Sequence, residues 1–321
     1  MNQGPVTAEH VRWAYRLLLD REPESEAAVS GHLSGSASTR ALRQNLLTSA
    51  EFRAMNPTDL FYTSGSAVVL KILPNGLRLF LDLSDLAIGL NIARDSYEPS
   101  ETAFVEANVA RGATAIDVGA NIGYFALTMA NCAGPTGRIY AYEPFDQNTK
   151  LFERSLEENG LAQRILLRKI LLGDHRGEAD LVVLPLENNS FNSGGSFILP
   201  AGAPVPPGHQ LRRIEMTTLD DEDIPSRVSF IKIDVEGAEP FVFRGARRLL
   251  REHRPLILSG INPPALQRVA GVSVSDFLRE MSELGFDALA LDGAALGRPF
   301  QPTNSVKATT VVFRPRNSDH S

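Results

Sequence analysis

Apolar and polar positions follow three successive patterns along the chain. Over residues 6–55 the apolar residues recur at helical spacing: Val11, Ala14, Tyr15, Leu18 and Leu19 form one face, and Ala41, Leu42, Leu46 and Leu47 another. This predicts a small all-helical domain over residues 1–58. From about residue 66 the period drops to two, so that "AVVLKIL", a turn at residues 74–76 and "LRLFLDL" read as a hairpin. Beyond it, short apolar blocks near 114–119, 138–143, 165–172, 228–234, 255–261, 286–291 and 308–313 read as strands, with helical segments between most of them. Such alternation predicts an α/β domain over residues 66–316, with a mostly parallel sheet covered on both faces.

Residues 176–215 interrupt the alternation with "ADLVVLPL", "NNSFNSGGS" and a Pro/Gly-rich "LPAGAPVPPGH". Their polarity predicts a long loop outside the core that supplies part of an acceptor site, against the plainer reading of a tolerated surface loop. The acidic run at residues 220–223 reads as a solvated loop.

Composition changes this picture only at the margins. Of the 321 residues 43% are hydrophobic and 22% charged, with a net charge of −6, so the whole-protein field would not draw a polyanion and nucleic acid is not an expected partner. The single cysteine, Cys132, has no companion for a disulfide or a metal site, which fits a reducing compartment. No positive segment followed by an apolar stretch opens the chain, and no apolar run approaches the roughly 20 residues of a membrane span. A cytoplasmic protein without an integral membrane segment is expected.

The chemistry concentrates in "TAIDVGANIGYFALTMA", an apolar strand, a glycine turn and a helix, the layout of a nucleotide-binding crevice. Gly119 and Gly123 let the backbone turn sharply and come close to a ligand, and Asn121 offers an amide between them. The dinucleotide fingerprint is absent because Asn121 stands where its second glycine belongs, and no lysine follows to make a phosphate-binding P-loop. Asp117 at the strand end would oppose a pyrophosphate. It suits S-adenosylmethionine, which carries a sulfonium and an ammonium and no phosphate. Glu143, in "YAYEP" at the end of the second strand, is placed to accept hydrogen bonds from ribose hydroxyls.

Several motifs in order then carry a resemblance: "YEPSE" at residues 97–101, "DVGANIGYF" at 117–125, "YEP" at 142–144, "LGDHRG" at 172–177, "FNSGG" at 191–195 and "IKIDVEGAE" at 231–239. Through them the chain resembles the FkbM family of methyltransferases. The resemblance implies a Rossmann-like class I methyltransferase fold, with a mostly parallel seven-stranded sheet whose last strand is antiparallel. It implies S-adenosylmethionine contacts at Asp117, Gly119, Asn121, Gly123 and Glu143, and places Asp174 at the adenine amino group, against the equal reading of a solvated turn former. Tyr97 and Glu98 border the same pocket or serve only packing and the helix start. At the N-terminus, "AYRLLLDREPE" and "LLTSAEF" resemble a bacterial repeat-like domain of unknown function attached to carbohydrate-related enzymes, which reads as a docking module.

The reaction side is read from "VSFIKIDVEG", where Lys232 and Asp234 lie on one face of a buried strand. Asp234 is expected in the crevice at the strand's carboxyl end, and Lys232, farther back, in a structural pair. Methyl transfer needs alignment of the acceptor and, for a hydroxyl, removal of a proton, so Asp234 first and Glu236 second are the catalytic candidates. Glu236 and Glu239 also suit the start of the next helix. The three acids are hard oxygen ligands that would also suit a magnesium ion, although no dedicated metal site is assigned. His209 is a reserve base. The expected acceptor is a small molecule or glycan, methylated on a hydroxyl of a sugar, glycolipid or secondary metabolite. Relatives commonly place an acid after the fifth strand, where this chain reads "LILSGINPP" with Gly260 and Asn262. That departure opens an alternative, a catalytically degenerate binding or scaffold protein in a polysaccharide or glycolipid pathway.

Overall fold

The structure, a computed structural model, describes residues 6–47, 49, 51–52, 61–62, 67–183, 193–302 and 307–316. The chain divides into two compact units, Met1–Leu60 and Phe61–Ser321. Among its described residues the first holds the helices α1 (Ala8–Leu19), α2 (Glu26–Gly35) and α3 (Thr39–Leu47). Thr7 and His10 form a capping box at the start of α1. The helices bury Val11, Tyr15, Leu19, Val29, Leu42 and Leu46 against one another. Arg21 ties the helices to the end of this unit through Glu51 and to Glu24, and its guanidinium lies 4.9 Å from the Tyr15 ring centroid.

In the second unit β1 (Phe61–Tyr62), β2 (Val68–Ile72) and β3 (Arg78–Asp82) form a small antiparallel sheet. After α4 (Gly89–Ala93) and α5 (Pro99–Asn108), the chain alternates through β4 (Thr114–Val118), α6 (Tyr124–Ala133), β5 (Arg138–Tyr142), α7 (Asp146–Glu158) and β6 (Ile165–Arg168). Next come β7 (Leu171–Leu172), β8 (Gly177–Val183), β9 (Phe197–Ile198) and β10 (Gln210–Thr217), then β11 (Val228–Ile233), α8 (Glu239–Arg244), α9 (Arg247–His253) and β12 (Leu256–Ile261). The chain closes with α10 (Pro263–Val269), α11 (Val274–Glu283), β13 (Phe286–Asp292), β14 (Ala295–Pro299) and β15 (Thr309–Pro315).

Eight strands form the main sheet in the order β14-β13-β15-β12-β11-β4-β5-β6. Strands β12, β11, β4, β5 and β6 run parallel, and β15 is antiparallel to both β12 and β13. All five residues of β4 are buried, as a central strand between helical layers requires. From β4 the chain winds outward through β5 and β6, then returns to β11 on the other side. The strand order therefore reverses between β4 and β11, and the crevice beyond their carboxyl ends is where such sheets bind ligands. This is the Rossmann-like class I methyltransferase fold, with its last strand antiparallel.

Four expectations need correction. An eighth strand, β14, pairs with β13 at the sheet edge; its exposed "ALGRP" lacks an alternating pattern and carries a proline that only an edge tolerates. The apolar block at 165–172 is not one strand, because β6 stays in the main sheet while β7 leaves it to pair with β10. The interruption at 176–215 is not chiefly loop: β8 and β10 pair antiparallel over seven positions in a second sheet of order β7-β10-β8-β9, with Leu181, Val182 and Val183 buried. Residues 184–192 lie outside the described residues, so part of the proposed acceptor loop, including Phe191 and Asn192 of "FNSGG", is not described. Finally, the acidic run at 220–223 is not simply solvated. Asp220 accepts the backbone N–H groups of Arg248 and Leu249 at the start of α9, both at 2.8 Å, and the Tyr142 hydroxyl donates to Glu222 at 3.1 Å.

Candidate active site

The glycine turn is built by crowding. At Gly119 φ is +77°, and a Cβ there would stand 2.0 Å from the carbonyl oxygen of Asp234, so only glycine lets the ends of β4 and β11 approach. At Gly123, which opens α6 with φ +93°, a Cβ would strike the Phe152 ring at 2.2 Å. Gly123 thus shapes the loop from behind. Between them Asn121 takes φ +51°, donates its backbone N–H to Glu143 Oε2 at 2.9 Å, and accepts the Ile122 N–H on its own Oδ1 at 2.8 Å.

Glu143, buried at the end of β5, also accepts the Phe145 N–H at 3.0 Å and an Asn148 amide N–H at 3.2 Å. Burial nevertheless pushes its carboxyl up to about 7 against these three donors. It borders a narrow cavity of about 80 Å³, with Gly119, Asn121, Leu171, Leu172 and Phe197. Asp117 is wholly buried, and neither carboxylate oxygen meets a hydrogen-bond donor in good geometry. Burial lifts it to about 6, with Lys232 opposing, Asp234 adding to the shift and the Ala126 backbone N–H opposing it. At the wall of a cavity of about 240 Å³ this acceptor-only group is placed to take a donor from a ligand.

The end of β11 supplies the second wall. Lys232 is buried, with Nζ 3.4 Å from Asp234 Oδ2 and 4.6 Å from the centroid of the Phe125 ring. Burial alone would lower its pKa, yet the carboxylates of Asp234, Glu98 and Asp117 prevail and raise it, so it stays charged. Glu236 stands at φ +52° with Oε2 3.5 Å from the Asn262 amide nitrogen, and burial, then Asp234, push it up to about 7. Asn262 in turn caps α10, its Oδ1 accepting the Ala265 N–H at 3.3 Å. Glu239 brackets the turn: it accepts the Val235 N–H at 3.1 Å and the Gly237 N–H at 3.0 Å, and burial pushes it up to about 8. The three acids point to different partners, and among the described residues no three acidic, histidine or cysteine side chains converge to hold a metal.

A larger cavity of about 470 Å³ opens beside Asp234 and Glu236, which border all three cavities. Its far side carries Glu98 and Glu101 at the start of α5 and Thr309 and Thr310 of β15, the Thr310 hydroxyl donating to Glu101 at 2.7 Å. Glu98 sits at φ +41°, and burial pushes it up to about 7, with Lys232 opposing and Asp234 adding. Outside glycine six described residues have positive φ, and three of them, Glu98, Asn121 and Glu236, border these cavities, a concentration of backbone strain typical of functional sites. Tyr97 stacks edge-on against Tyr124, centroids 5.4 Å apart, behind Glu98.

The crevice therefore gathers Asp117, Gly119, Asn121, Glu143, Asp234 and Glu236. It does not gather Asp174, which is exposed, pairs with His175 at 2.7 Å and borders none of the three cavities, nor His209, which faces the Pro207 carbonyl. Glu101 and Thr310 were not singled out from sequence as site residues, although Glu101 closes the motif "YEPSE". Gly260 acquires a role, since a Cβ there would lie 2.8 Å from Asp234 Oδ1. The missing side chain makes room for that carboxylate.

A family described as the methyltransferase FkbM domain matches residues 117–288, more than half of the chain. The chain is 26% identical over 172 residues, 52% of its length and 83% of the relative's, to a probable cobalt-precorrin-6B C(15)-methyltransferase (decarboxylating) of Pyrobaculum calidifontis. Among solved structures it is similar to a methyltransferase FkbM from Methylobacillus flagellatus, at 15% identity and a TM-score of 0.42, covering 94% of this chain. It spans 58% of that protein's length. A SAM-dependent O-methyltransferase of Thermotoga maritima is 14% identical, with a TM-score of 0.38, over 79% of this chain and 94% of that one.

Proposed function

We propose, since the chain belongs to the FkbM methyltransferase family, that it moves a methyl group from S-adenosylmethionine to a hydroxyl oxygen of a sugar, glycolipid or secondary metabolite. The observation that carries the donor is Asp117, buried with neither oxygen meeting a donor in good geometry, beside a turn that only glycine can make. A cationic ligand answers both its charge and its missing donors. Asp117 would hold the donor's ammonium, Glu143 its ribose hydroxyls, and Leu171, Leu172 and Phe197 its base. When bound, S-adenosylmethionine supplies the methyl group: its S–CH3 bond breaks as the acceptor's O–CH3 bond forms, and the electron pair stays on sulfur.

The chain's own residues place the hydroxyl and move its proton. Asp234, paired with Lys232, orients the hydroxyl, and Glu236, poised near 7, accepts the proton. The Pyrobaculum relative carries a name that specifies a carbon acceptor; a carboxylate base beside a polar cavity favours oxygen here. The binding-only alternative drew on Gly260, which this reading instead makes the space in which Asp234 stands.

Calorimetry with S-adenosylmethionine, S-adenosylhomocysteine and NAD tests the donor: the first two bind, and binding of NAD alone would overturn the proposal. Asp117→Asn should weaken donor binding about ten-fold or more. Transfer of a labelled methyl group across sugar and polyketide hydroxyls, with its position in the product read by NMR, tests the acceptor atom; methylation at carbon only would reject the hydroxyl.

A further inference from the structure

We infer that the acceptor presents a protonated amine close to the hydroxyl that is methylated, as an amino sugar does, and carries no phosphate or nucleotide. This rests on the donor reading above and adds the charge class of its acceptor. The cavity of about 470 Å³ is bordered by Glu98, Glu101, Asp234, Glu236 and Glu239, with Lys232 as its single cationic side chain among the described residues. That cation is already matched, since its Nζ lies 3.4 Å from Asp234. The other hydrogen-bonding side chains on the wall, Ser100, Asn262, Thr309 and Thr310, are neutral.

The adjoining cavity shares Glu98, Lys232, Asp234 and Glu236 with this one and adds the fully buried Asp117, whose carboxylate oxygens meet no donor in good geometry, to the same field. The donor's ammonium answers Asp117 and its sulfonium adds one more positive charge, which leaves the carboxylates on the acceptor side in excess. A phosphate dianion would meet several of them in a partly desolvated space with no arginine among the described residues on the wall to receive it. An ammonium relieves the same field. Carboxylates hold an amine in its protonated form, which has no lone pair, so the amine anchors and the neighbouring hydroxyl takes the methyl group. Glu98 and Glu236, each raised to about 7, would release protons as the cation arrives.

The test titrates the full chain with D-glucosamine, D-glucose and D-glucose 6-phosphate, in the absence and in the presence of saturating S-adenosylhomocysteine. Glucosamine is expected to bind about ten-fold or more tightly than glucose, and glucose 6-phosphate more weakly than glucose. Repeating the glucosamine titration near neutral pH in two buffers of different ionisation enthalpy should reveal net proton release. Glu101→Gln keeps an acceptor for the Thr310 hydroxyl and removes only charge; it should shrink the glucosamine advantage several-fold with thermal unfolding unchanged. Glucose binding as tightly as glucosamine, the phosphate ester binding tightest, or glucosamine failing to bind at high millimolar concentration would each overturn the inference. Failure of S-adenosylhomocysteine to bind would remove the donor reading alone, because the amine preference is also read in its absence.

Discussion

A methyl group added at Gly260 would lie 2.8 Å from Asp234 Oδ1, the mobile end of a side chain, whereas one added at Gly119 would lie 2.0 Å from the Asp234 carbonyl oxygen, which is fixed backbone. The two positions should therefore respond differently. Gly260→Ala is expected to leave thermal unfolding within a few degrees of the parent while lowering methyl transfer about ten-fold, because the carboxylate turns aside. Gly119→Ala, forced to φ +77° as well, should lose about 2 kcal/mol or more of stability by urea titration together with donor binding. Glu236 sets a second expectation. With its carboxyl pushed up to about 7, it is a competent base only above that pH, so kcat/KM should rise with pH through about 7. Glu236→Gln should flatten that limb and lower kcat about 100-fold; an unchanged profile would assign the proton to another group. Of these residues, those on the glycine turn and on "IKIDVEG" were legible because strand ends at a reversal of strand order face one crevice wherever the sheet forms. Glu101 and Thr310, 209 positions apart, were not, since nothing local tells that β15 returns beside the start of α5. Asp174 was placed by likeness to relatives; in this chain its turn faces outward and His175 takes the carboxylate.

At the level of elements, burial decided what could be read. Strands β4 and β11 are buried along almost their whole length and announce themselves as apolar runs. Strand β10, "QLRRIEMT", exposes most of its first six residues, and its cross-strand ion pairs from Arg213 to Glu178 and Asp180, both at 3.1 Å, look in sequence like scattered surface charge. The same blindness hid Asp220. It sits on the short turn after β10 and receives the first free amides of α9, a cap supplied from nearly thirty residues upstream. Asp220→Ala should cost about 1–2 kcal/mol in urea unfolding, as loss of a helix cap does. Exposed Asp223 in the same acidic run is the control, and its replacement by alanine should stay within about 0.5 kcal/mol. Equal effects at the two positions would mean that the cap contributes nothing.

On the scale of the whole molecule, each unit encloses its own apolar core, so a chain of residues 61–321 should fold and bind S-adenosylhomocysteine as the full chain does, with calorimetry as the check. The charge gathered in its crevice then governs how that unit responds to pH. Folding raises Asp117 from 3.8 to about 6, Glu98, Glu143 and Glu236 from 4.5 to about 7, and Glu239 from 4.5 to about 8, in every case chiefly through burial. A carboxyl whose folded value lies above its unfolded one binds its proton more tightly in the folded state. Its contribution is fully present below about 4.5 and is lost as pH rises through about 8. Lys232, raised above its usual 10.5, stays charged in both states across this window and adds no slope there. The urea midpoint should therefore fall steadily between about pH 5 and pH 8, the reverse of a protein held by paired surface carboxylates. Saturating S-adenosylmethionine should make the decline shallower, because a cation beside Asp117 stabilises the ionised form that high pH imposes. A midpoint that rises over this range would mean that these carboxyls ionise freely in the folded chain, and with that the case for a crevice starved of positive charge would fail.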